Sequence, residues 1–297
     1  MSASGSGEVI GLGELLWDEF PDGRRPGGAP ANVAYHATML GLPAAVASRV
    51  GRDESGDRLT ETIRQNGLDV SLIQTDPEAD TGRVTIELDD GEPSYSIHPA
   101  AWDHIEAGET LLARAGDAAA VCFGTLAQRS EVSRDTIQQC VATGASLKVY
   151  DVNLRQSFFT KDTVAASLAA ADLVKLNRDE TGTLAKLLDL PAGDDFAPAV
   201  RERFEVELVC VTLGPDGCEL VADDRVLERS DPVELADAVG AGDAFTAALT
   251  FATLQRWPLS NRARLANAIG GLVASRRGAM PSIADEAAAI RDRIAAG

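Results

Sequence analysis

Lysine is scarce in this chain of 297 residues. It occurs only at Lys148, Lys161, Lys175 and Lys186, so arginine carries nearly all of the positive charge. With 46 acidic residues against 27 basic ones, the formal net charge is −19. Such a surface repels polyanions, so neither nucleic acid nor an anionic membrane is expected as a partner. The shortage of lysine fits either adaptation to a salt-rich cytoplasm or a GC-rich genome, and the sequence leaves both open.

Targeting and redox signals are missing as well. No segment approaches the roughly 20 apolar residues that span a bilayer. Residues 1–7 contain neither a basic nor an apolar stretch of a secretory signal, and we interpret them as a flexible tail. The four cysteines lack C-x-x-C spacing, and Cys122 and Cys210 lie in apolar runs typical of buried thiols. A cytoplasmic location is therefore expected.

Two nucleotide-binding signatures are absent or broken. The chain has no G-x-x-x-x-G-K-[ST] sequence, which excludes a P-loop. Gly11-Leu12-Gly13 begins like a dinucleotide fingerprint, but Leu16 stands where the third glycine belongs. A dinucleotide-dependent enzyme is thus a disfavoured alternative.

Short apolar runs alternate with segments of helical period along most of the chain. The apolar runs predict strands at 8–13, 44–50, 118–124, 147–152, 173–176 and 207–213. The helical period predicts helices at 31–40, 56–66, 130–143, 163–171 and 179–188, followed by a mostly helical C-terminal part from 240. This alternation indicates an α/β fold with a parallel sheet covered on both faces. Residues 81–89 and 94–99 alternate polar and apolar side chains around a turn, which predicts an antiparallel hairpin flap.

The segment 236–247, with the sequence ADAVGAGDAFTA, is the most informative one in the chain. Its glycines precede Asp243, which opens an apolar helical run. Glycines at a helix start let backbone N–H groups converge on an anion, and the helix dipole favours negative charge there. A carboxylate on the same turn can take a proton from an attacking hydroxyl, which suits phosphoryl transfer. The alternative is an ordinary capping aspartate.

A second segment, 26–34 (PGGAPANVA), places two glycines before Asn32 at the start of a predicted helix. The glycines permit close approach of a ligand, and the amide of Asn32 both donates and accepts. Asp18 lies shortly upstream, and a carboxylate can accept hydrogen bonds from two hydroxyls of a polyol. The alternative for Asp18 is a solvated loop acid.

Together, residues 27–32 (GGAPAN) and 237–243 (DAVGAGD) resemble the two signatures of the ribokinase-like (PfkB) carbohydrate kinases. Further motifs follow in the order of that family: 151–155 (DVNLR), 175–180 (KLNRDE), 211–217 (VTLGPDG) and 277–282 (RGAMPS). The resemblance implies a three-layer α/β/α sandwich with a mostly parallel central sheet. It further implies a small β-sheet lid formed by about 15–20 and 81–99, with residues 1–297 forming a single domain.

The resemblance also implies roles for individual residues. Asp243 corresponds to the base, and the backbone of Gly240, Ala241 and Gly242 to the anion hole for the phosphoryl group. Arg155 corresponds to a residue that stabilises phosphoryl charge or contacts the sugar, its alternative being an ion pair with Asp151. The implied sugar-binding residues are Asp18, Gly27, Gly28, Asn32 and Asp243.

For the nucleotide, the resemblance implies ATP with Mg²⁺. The implied ATP-binding residues are Lys175, Asn177, Thr212, Gly214, Gly217, Gly242 and Asn267. Glu180 and Asn177 correspond to a motif that holds magnesium through water, although Glu180 could be a surface helix carboxylate and Asn267 a helix-surface amide. A monovalent-cation site for K⁺ is implied at Asp237, Val239 and Ser282. It is weakened by Ala238-Val239, which stand where family members carry hydroxyl side chains.

The expected activity is ATP-dependent phosphorylation of a terminal sugar hydroxyl. Within the family, GGAPAN together with D-x-N-x-R most resembles the fructokinases, which makes fructose the expected sugar. A 2-keto-3-deoxygluconate kinase is the alternative enzyme, and a catalytically idle sugar-binding or regulatory protein is the alternative of another class. A homodimer paired through the lid is expected. Trp102 is expected to pack at the hinge of the hairpin and His98 to be exposed.

Overall fold

The computed structural model describes residues 7–20, 23–89 and 92–296, and of residues 86–89 and 92–95 it describes the backbone alone. Most of the tail (1–6) and the hairpin turn residues 90 and 91 therefore lie outside the described residues. The strands of the large sheet are β1 (Val9–Leu12), β4 (Ala44–Gly51), β5 (Ile73–Asp76), β8 (Ala120–Gly124), β9 (Lys148–Asp151), β10 (Leu173–Asn177), β11 (Leu208–Thr212), β12 (Cys218–Val221) and β13 (Arg225–Glu228). Their spatial order is β13-β12-β11-β10-β9-β8-β1-β4-β5. Neighbouring strands from β5 across the sheet to β11 pair in parallel. The pairs β11-β12 and β12-β13 are antiparallel.

A second, smaller sheet has the order β3-β2-β6-β7. It consists of β2 (Leu16–Phe20), β3 (Gly23–Gly27), β6 (Gly82–Asp89) and β7 (Glu92–Ile97). The predicted hairpin is confirmed as β6 and β7, which pair antiparallel. Residues 23–27, which no sequence pattern indicated as a strand, form β3, paired antiparallel with β2.

Helices cover both faces of the large sheet. They are α1 (Ala29–Met39), α2 (Glu54–Gln65), α3 (Glu109–Asp117), α4 (Glu131–Ala142), α5 (Lys161–Ala170), α6 (Arg178–Leu188), α7 (Phe196–Phe204), α8 (Ala241–Leu254), α9 (Leu259–Ala274) and α10 (Ala284–Ala295). The core on one face includes side chains of α1, α2, α8, α9 and α10, and the core on the other includes side chains of α3 to α7. Successive strand residues alternate between the two cores, as Val9 and Ile10 show. The buried strands are apolar because both faces are covered.

The six predicted strands and five predicted helices are confirmed with small differences at their ends. No sequence pattern predicted β5, β12, β13, α3 or α7. Among the described residues, no helix is both long and apolar enough to cross a membrane. The carboxyl ends of the parallel strands lie at one edge of the sheet, where open α/β folds bind ligands. The motif residues Asp151, Asn177 and Thr212 each stand at such an end.

Candidate active site

The first turn of α8 is shaped by Gly240, which precedes it. Gly240 has a φ of +78°, in the left-handed region that favours glycine. A Cβ atom there would lie 2.6 Å from Cα of Ala279, so the loop after α9 packs directly against this turn. Of the amides predicted to form the anion hole, that of Ala241 donates to the carbonyl of Ala238 at 3.3 Å. The amides of this turn still present the positive end of the helix dipole.

Asp243 lies in that first turn and is held by α1. Nδ2 of Asn32 donates to Oδ2 of Asp243 at 2.7 Å, a contact between residues 211 positions apart in the chain. Burial and the Asp151 charge raise the pKa of Asp243 to about 6, whereas Asn32, Lys175 and Arg155 favour its ionised form. Near neutral pH the carboxylate is therefore ionised and basic enough to accept a proton.

Asp18, on β2, faces the glycine pair. Oδ2 of Asp18 lies 2.2 Å from the place of a Cβ at Gly27, so only glycine leaves room for this carboxylate. Burial, together with the charge of Asp243, raises the pKa of Asp18 to about 6, and Arg155 and Arg25 oppose the shift. The charge of Asp243 thus acts on Asp18, which places the two carboxylates within electrostatic reach of each other.

The glycine pair is followed directly by α1, which carries Asn32. Gly28 is the N-cap residue of α1, with a φ of +111°. Oδ1 of Asn32 is buried without a hydrogen-bond partner among the described residues. A buried acceptor of this kind is costly unless a ligand satisfies it, and a sugar hydroxyl could do so.

Glu14 belongs to the same site and was missed by the sequence analysis. It is 4% exposed, and within the described part of the chain its Oε2 has no hydrogen-bond partner. Burial raises its pKa to about 7, with Asp243 adding to the shift and Arg155 opposing it. The signal was available: Glu14 is the single charged residue of the apolar run 9–17.

Arg155 is exposed in the loop between β9 and α5, and its Nη1 donates to the carbonyl of Leu154 at 3.1 Å. Its charge acts on Glu14, Asp18 and Asp243 alike. Glu14, Asp18 and Asp243 therefore all lie within electrostatic reach of this one guanidinium.

Asp151, the alternative partner of Arg155, is bound to other groups. Lys175 Nζ contacts Oδ1 of Asp151 at 3.1 Å, and the hydroxyl of Thr246 in α8 donates to Oδ2 at 2.7 Å. The place of a Cβ at Gly242 is 3.2 Å from Nζ of Lys175, so the ammonium group lies beside the first turn of α8. Burial favours the neutral amine of Lys175, but Asp151, Glu180 and Asp243 outweigh it and raise its pKa. Asp151 thus joins α8 to the sheet through Thr246 and is neutralised by Lys175 on the neighbouring strand.

The predicted nucleotide residues lie around the end of β11 and the β12-β13 hairpin. Thr212 ends β11, and Gly214 and Gly217 have positive φ values in the turn that follows. Nδ2 of Asn267 donates at 3.1 Å to the carbonyl of Glu228, and the same carbonyl would meet a Cβ at Gly217. These contacts bring the Gly217 loop and α9 together.

A cavity of about 280 Å³ opens beside Asn267. Its lining residues include Glu228, Arg229, Asp231, Arg264, Asn267 and Arg293. The amide of Asn267 thus lines a cavity rather than an open helix surface.

The predicted metal ligands are engaged in the protein. Asn177 and Glu180 form a capping box at the start of α6, and the second carboxylate oxygen of Glu180 accepts the N–H of Leu154 at 2.7 Å. Asp237 accepts the N–H groups of Val239 and Gly278, each at 3.0 Å. Ser282 is exposed. The described residues include no group of three His, Cys, Asp or Glu side chains that could hold a metal alone.

Known proteins resemble this chain in both sequence and architecture. Fructokinase-1 of Oryza sativa subsp. japonica is 30% identical over 312 residues, covering 94% of this chain and 95% of that protein. The structure of an uncharacterized sugar kinase, PH1459 from Pyrococcus horikoshii, in complex with ATP has a TM-score of 0.80 and 28% identity, covering 92% and 94% of the two chains. A fructokinase with bound ATP from Xylella fastidiosa shares the fold with a TM-score of 0.86 at 23% identity, covering 97% and 99%.

The fold is therefore the ribokinase-like three-layer α/β/α sandwich with a small separate sheet, and the predicted fold class is confirmed. The pfkB family carbohydrate kinase description matches residues 18–286. The chain thus belongs to the pfkB family of carbohydrate kinases, with fructokinases among its relatives at about 30% identity. The predictions of the family and of a carbohydrate kinase are confirmed.

Proposed function

We propose that this kinase transfers the γ-phosphoryl group of ATP to a terminal hydroxyl of fructose. The observation that carries the proposal is the position of Asp243: it lies on the first turn of α8, bound by Asn32 and beside Asp18. The turn offers N–H groups to a phosphoryl group, and the carboxylate offers a proton acceptor to the attacking hydroxyl. A sugar that binds Asp18 and Asn32 would place its hydroxyl between the carboxylate of Asp243 and the phosphoryl group held by the turn.

In the proposed reaction, the sugar hydroxyl loses its proton to the carboxylate of Asp243 as its oxygen bonds to the γ-phosphorus. The bond from that phosphorus to the β–γ bridging oxygen breaks, and ADP leaves. The backbone of Gly240, Ala241 and Gly242 and the guanidinium of Arg155 stabilise the charge that moves between these oxygens. Lys175, fixed by Asp151 beside Gly242, adds positive charge from the protein side.

The sugar is proposed to bind through Asp18, Gly27, Gly28 and Asn32. Asp18 would accept hydrogen bonds from two adjacent hydroxyls, and the unpartnered Oδ1 of Asn32 from a third. The adenine and ribose of ATP are proposed to bind beside Thr212, Gly214, Gly217 and Asn267, where the cavity of about 280 Å³ opens. The small sheet of β2, β3, β6 and β7 is proposed to act as the lid of a single domain, and to pair across a homodimer.

Magnesium fits this site only with help from water and phosphate. Both carboxylate oxygens of Glu180 accept backbone N–H groups, from Asn177 and Leu154, which leaves lone pairs for water molecules rather than a full ligand set. Magnesium keeps several waters in most protein sites, so Asn177 and Glu180 would hold its hydration shell. Bound magnesium would neutralise charge on the phosphates. The carbonyl of Val239, with Asp237 and Ser282, is proposed as a K⁺ site.

The competing substrate is 2-keto-3-deoxygluconate, whose carboxylate differs from the neutral polyol fructose. Glu14, Asp18 and Asp243 are proposed to face the sugar, and the charge of Arg155 acts on all three. Three acidic groups against this guanidinium favour a neutral polyol over a sugar acid, because like charges in a buried site repel.

The experiment is ATP turnover measured against a panel of neutral sugars and sugar acids with magnesium present. Fructose is expected to give the highest kcat/KM. A preference for 2-keto-3-deoxygluconate would replace fructose but leave the kinase mechanism in place. If calorimetry detects sugar binding but no sugar supports ATP turnover, the chain is instead a catalytically idle sugar-binding protein.

A further inference from the structure

The guanidinium of Arg129 lies between two aromatic rings outside the proposed catalytic groups. It is 4.1 Å from the ring centroid of Trp102 and 4.7 Å from that of Phe158. Nε and Nη2 each donate to one carboxylate oxygen of Asp103 at 2.8 Å, and Nη2 also donates to the carbonyl of His98 at 2.7 Å. The Arg129 side chain is only 11% exposed. We call Arg129, Trp102, Asp103 and Phe158 the arginine clamp.

One side of the arginine clamp contacts the base of the small sheet. Trp102 is fully buried, and its Nε1 lies 2.5 Å from the place of a Cβ at Gly82, the first residue of β6. The carbonyl of Leu15, directly before β2, is 2.9 Å from the same place. His98 directly follows β7. The clamp therefore contacts the start of β6 and the residue that follows β7, and the residue before β2 packs against the same glycine.

The other side of the clamp contacts the loop that carries Arg155. The N–H of Phe158 donates to the carbonyl of Arg155 at 3.1 Å, which closes a turn over 155–158. Glu180 holds the preceding residue through the N–H of Leu154. The position of Phe158 therefore helps to set where the backbone of Arg155 lies.

We propose that Arg129 is a positioning residue, which holds the Arg155 turn at a fixed place relative to the base of the small sheet. Asp18 lies on β2 of that sheet, so the clamp would fix Arg155 against the sugar-binding carboxylate. A displacement of about 1 Å in such a group can lower a rate by about 10²-fold. The inference rests on the proposed function, because it assigns Arg129 to the placement of Arg155 during sugar phosphorylation.

The test is a double-mutant cycle between Arg129 and Arg155. Arg129→Lys keeps the positive charge but loses the planar group that pairs with Asp103 and stacks on both rings. It is expected to lower kcat/KM for the sugar about 10- to 100-fold when Arg155 is present. In an Arg155→Ala background the same change should cost less than about threefold, because residues that act together are not additive. The ATP dissociation constant without sugar should stay unchanged.

Phe158→Leu provides a second route to the same result, since it removes a ring of the clamp and keeps an apolar side chain. Arg203→Lys is the matched control: Arg203 also lies over a ring, that of Phe204, and donates to the carbonyl of Leu188. The control should not change kcat/KM. Equal losses from Arg129→Lys with and without Arg155 would overturn the proposal and leave the kinase mechanism intact. If Arg155→Ala alone keeps wild-type kcat/KM, the proposed role of Arg155 and the proposed positioning role of the arginine clamp are both excluded.

Discussion

Nδ2 of Asn32 and Oδ2 of Asp243 are joined by a hydrogen bond of 2.7 Å. The bond ties the first helix of the chain, which follows the glycine pair, to the helix that carries the proposed base. It also restricts the carboxylate to one orientation before any sugar binds, so that little reorganisation is needed when the proton moves.

Asp243→Asn is expected to lower kcat by at least about 10²-fold, the usual scale for a general base. ATP and sugar dissociation constants should barely change, since the new side chain has nearly the same shape. Steady-state kinetics and calorimetry measure the two effects. Asp285→Asn, an exposed acid in the first turn of α10, is the control. An Asp243→Asn enzyme with more than about a third of wild-type kcat would exclude Asp243 as the base.

The ionisation of Asp243 should change activity and stability in opposite directions. Its folded pKa of about 6 exceeds the ordinary 3.8. The protonated form is therefore favoured by folding, and this stabilisation is complete below about pH 4 and lost as the pH rises through 6. We expect kcat/KM to fall below pH about 6, while Asp243→Asn raises Tm more at pH 8 than at pH 5. A Tm difference independent of pH would contradict the assigned shift.

Asp18→Ala is expected to raise the KM for the sugar by one to several orders of magnitude. The loss corresponds to roughly 2–4 kcal/mol, because hydroxyls of the bound sugar would be left unpaired in a buried site. ATP affinity measured without sugar should stay the same. If Asp18→Ala weakens the binding of sugar and of ATP equally, Asp18 has a structural role instead.

Loss of the buried Lys175–Asp151 ion pair should lower the free energy of unfolding strongly. Lys175→Met leaves the carboxylate of Asp151 buried without its cation, which costs about 3–5 kcal/mol of unfolding free energy. Lys148→Met removes an ion pair with Asp172 whose side chains are about a quarter exposed, and about 0–1 kcal/mol is expected. Urea unfolding of both variants makes the comparison. Similar losses for the two would show that the Lys175 pair does not behave as a buried one.

Added salt is expected to stabilise the protein well beyond 0.15 M. The net charge of −19 makes the acidic surface repel itself, and the Debye length falls from about 30 Å at 0.01 M to about 3 Å at 1 M. Tm should rise equally in KCl and NaCl if screening is the cause. If Tm stays flat or falls between about 0.05 and 1 M of either salt, adaptation to salt is excluded, and the arginine bias is explained by genome composition. A potassium-specific effect on activity would instead support the cation site at Asp237 and Val239.

The sequence predicted those parts of the site that are local in the chain. The glycines before Asp243 and the N-x-x-E spacing of Asn177 and Glu180 specify a helix start by themselves, so their placement followed from the motif. β3 was missed because Gly-Arg-Arg-Pro-Gly has low strand propensity, and pairing with β2 overrides it.

Partners that lie far apart in the chain could not be read from the sequence. No local pattern shows that Asn32 binds Asp243, that Lys175 rather than Arg155 pairs with Asp151, or that Arg129 lies between Trp102 and Phe158. His98 was expected to be exposed but is half-buried, with its carbonyl bound by Arg129. Trp102 is buried beside the base of the small sheet, as its position after the hairpin indicated.

The separation of 211 positions between Asn32 and Asp243 also sets the order in which the two parts of the site are synthesised. At about 5–20 residues per second, a ribosome takes roughly 10–40 s to add that stretch. The segment carrying Asp18 and Asn32 has long emerged by then, while the helix carrying the proposed base is still being made. A nascent or interrupted chain that ends before α8 therefore holds half of the proposed sugar site and lacks the proposed base. Phosphoryl transfer through the proposed base can begin only when α8 has been made and has docked against α1, so the consumption of ATP by this site has to follow that step.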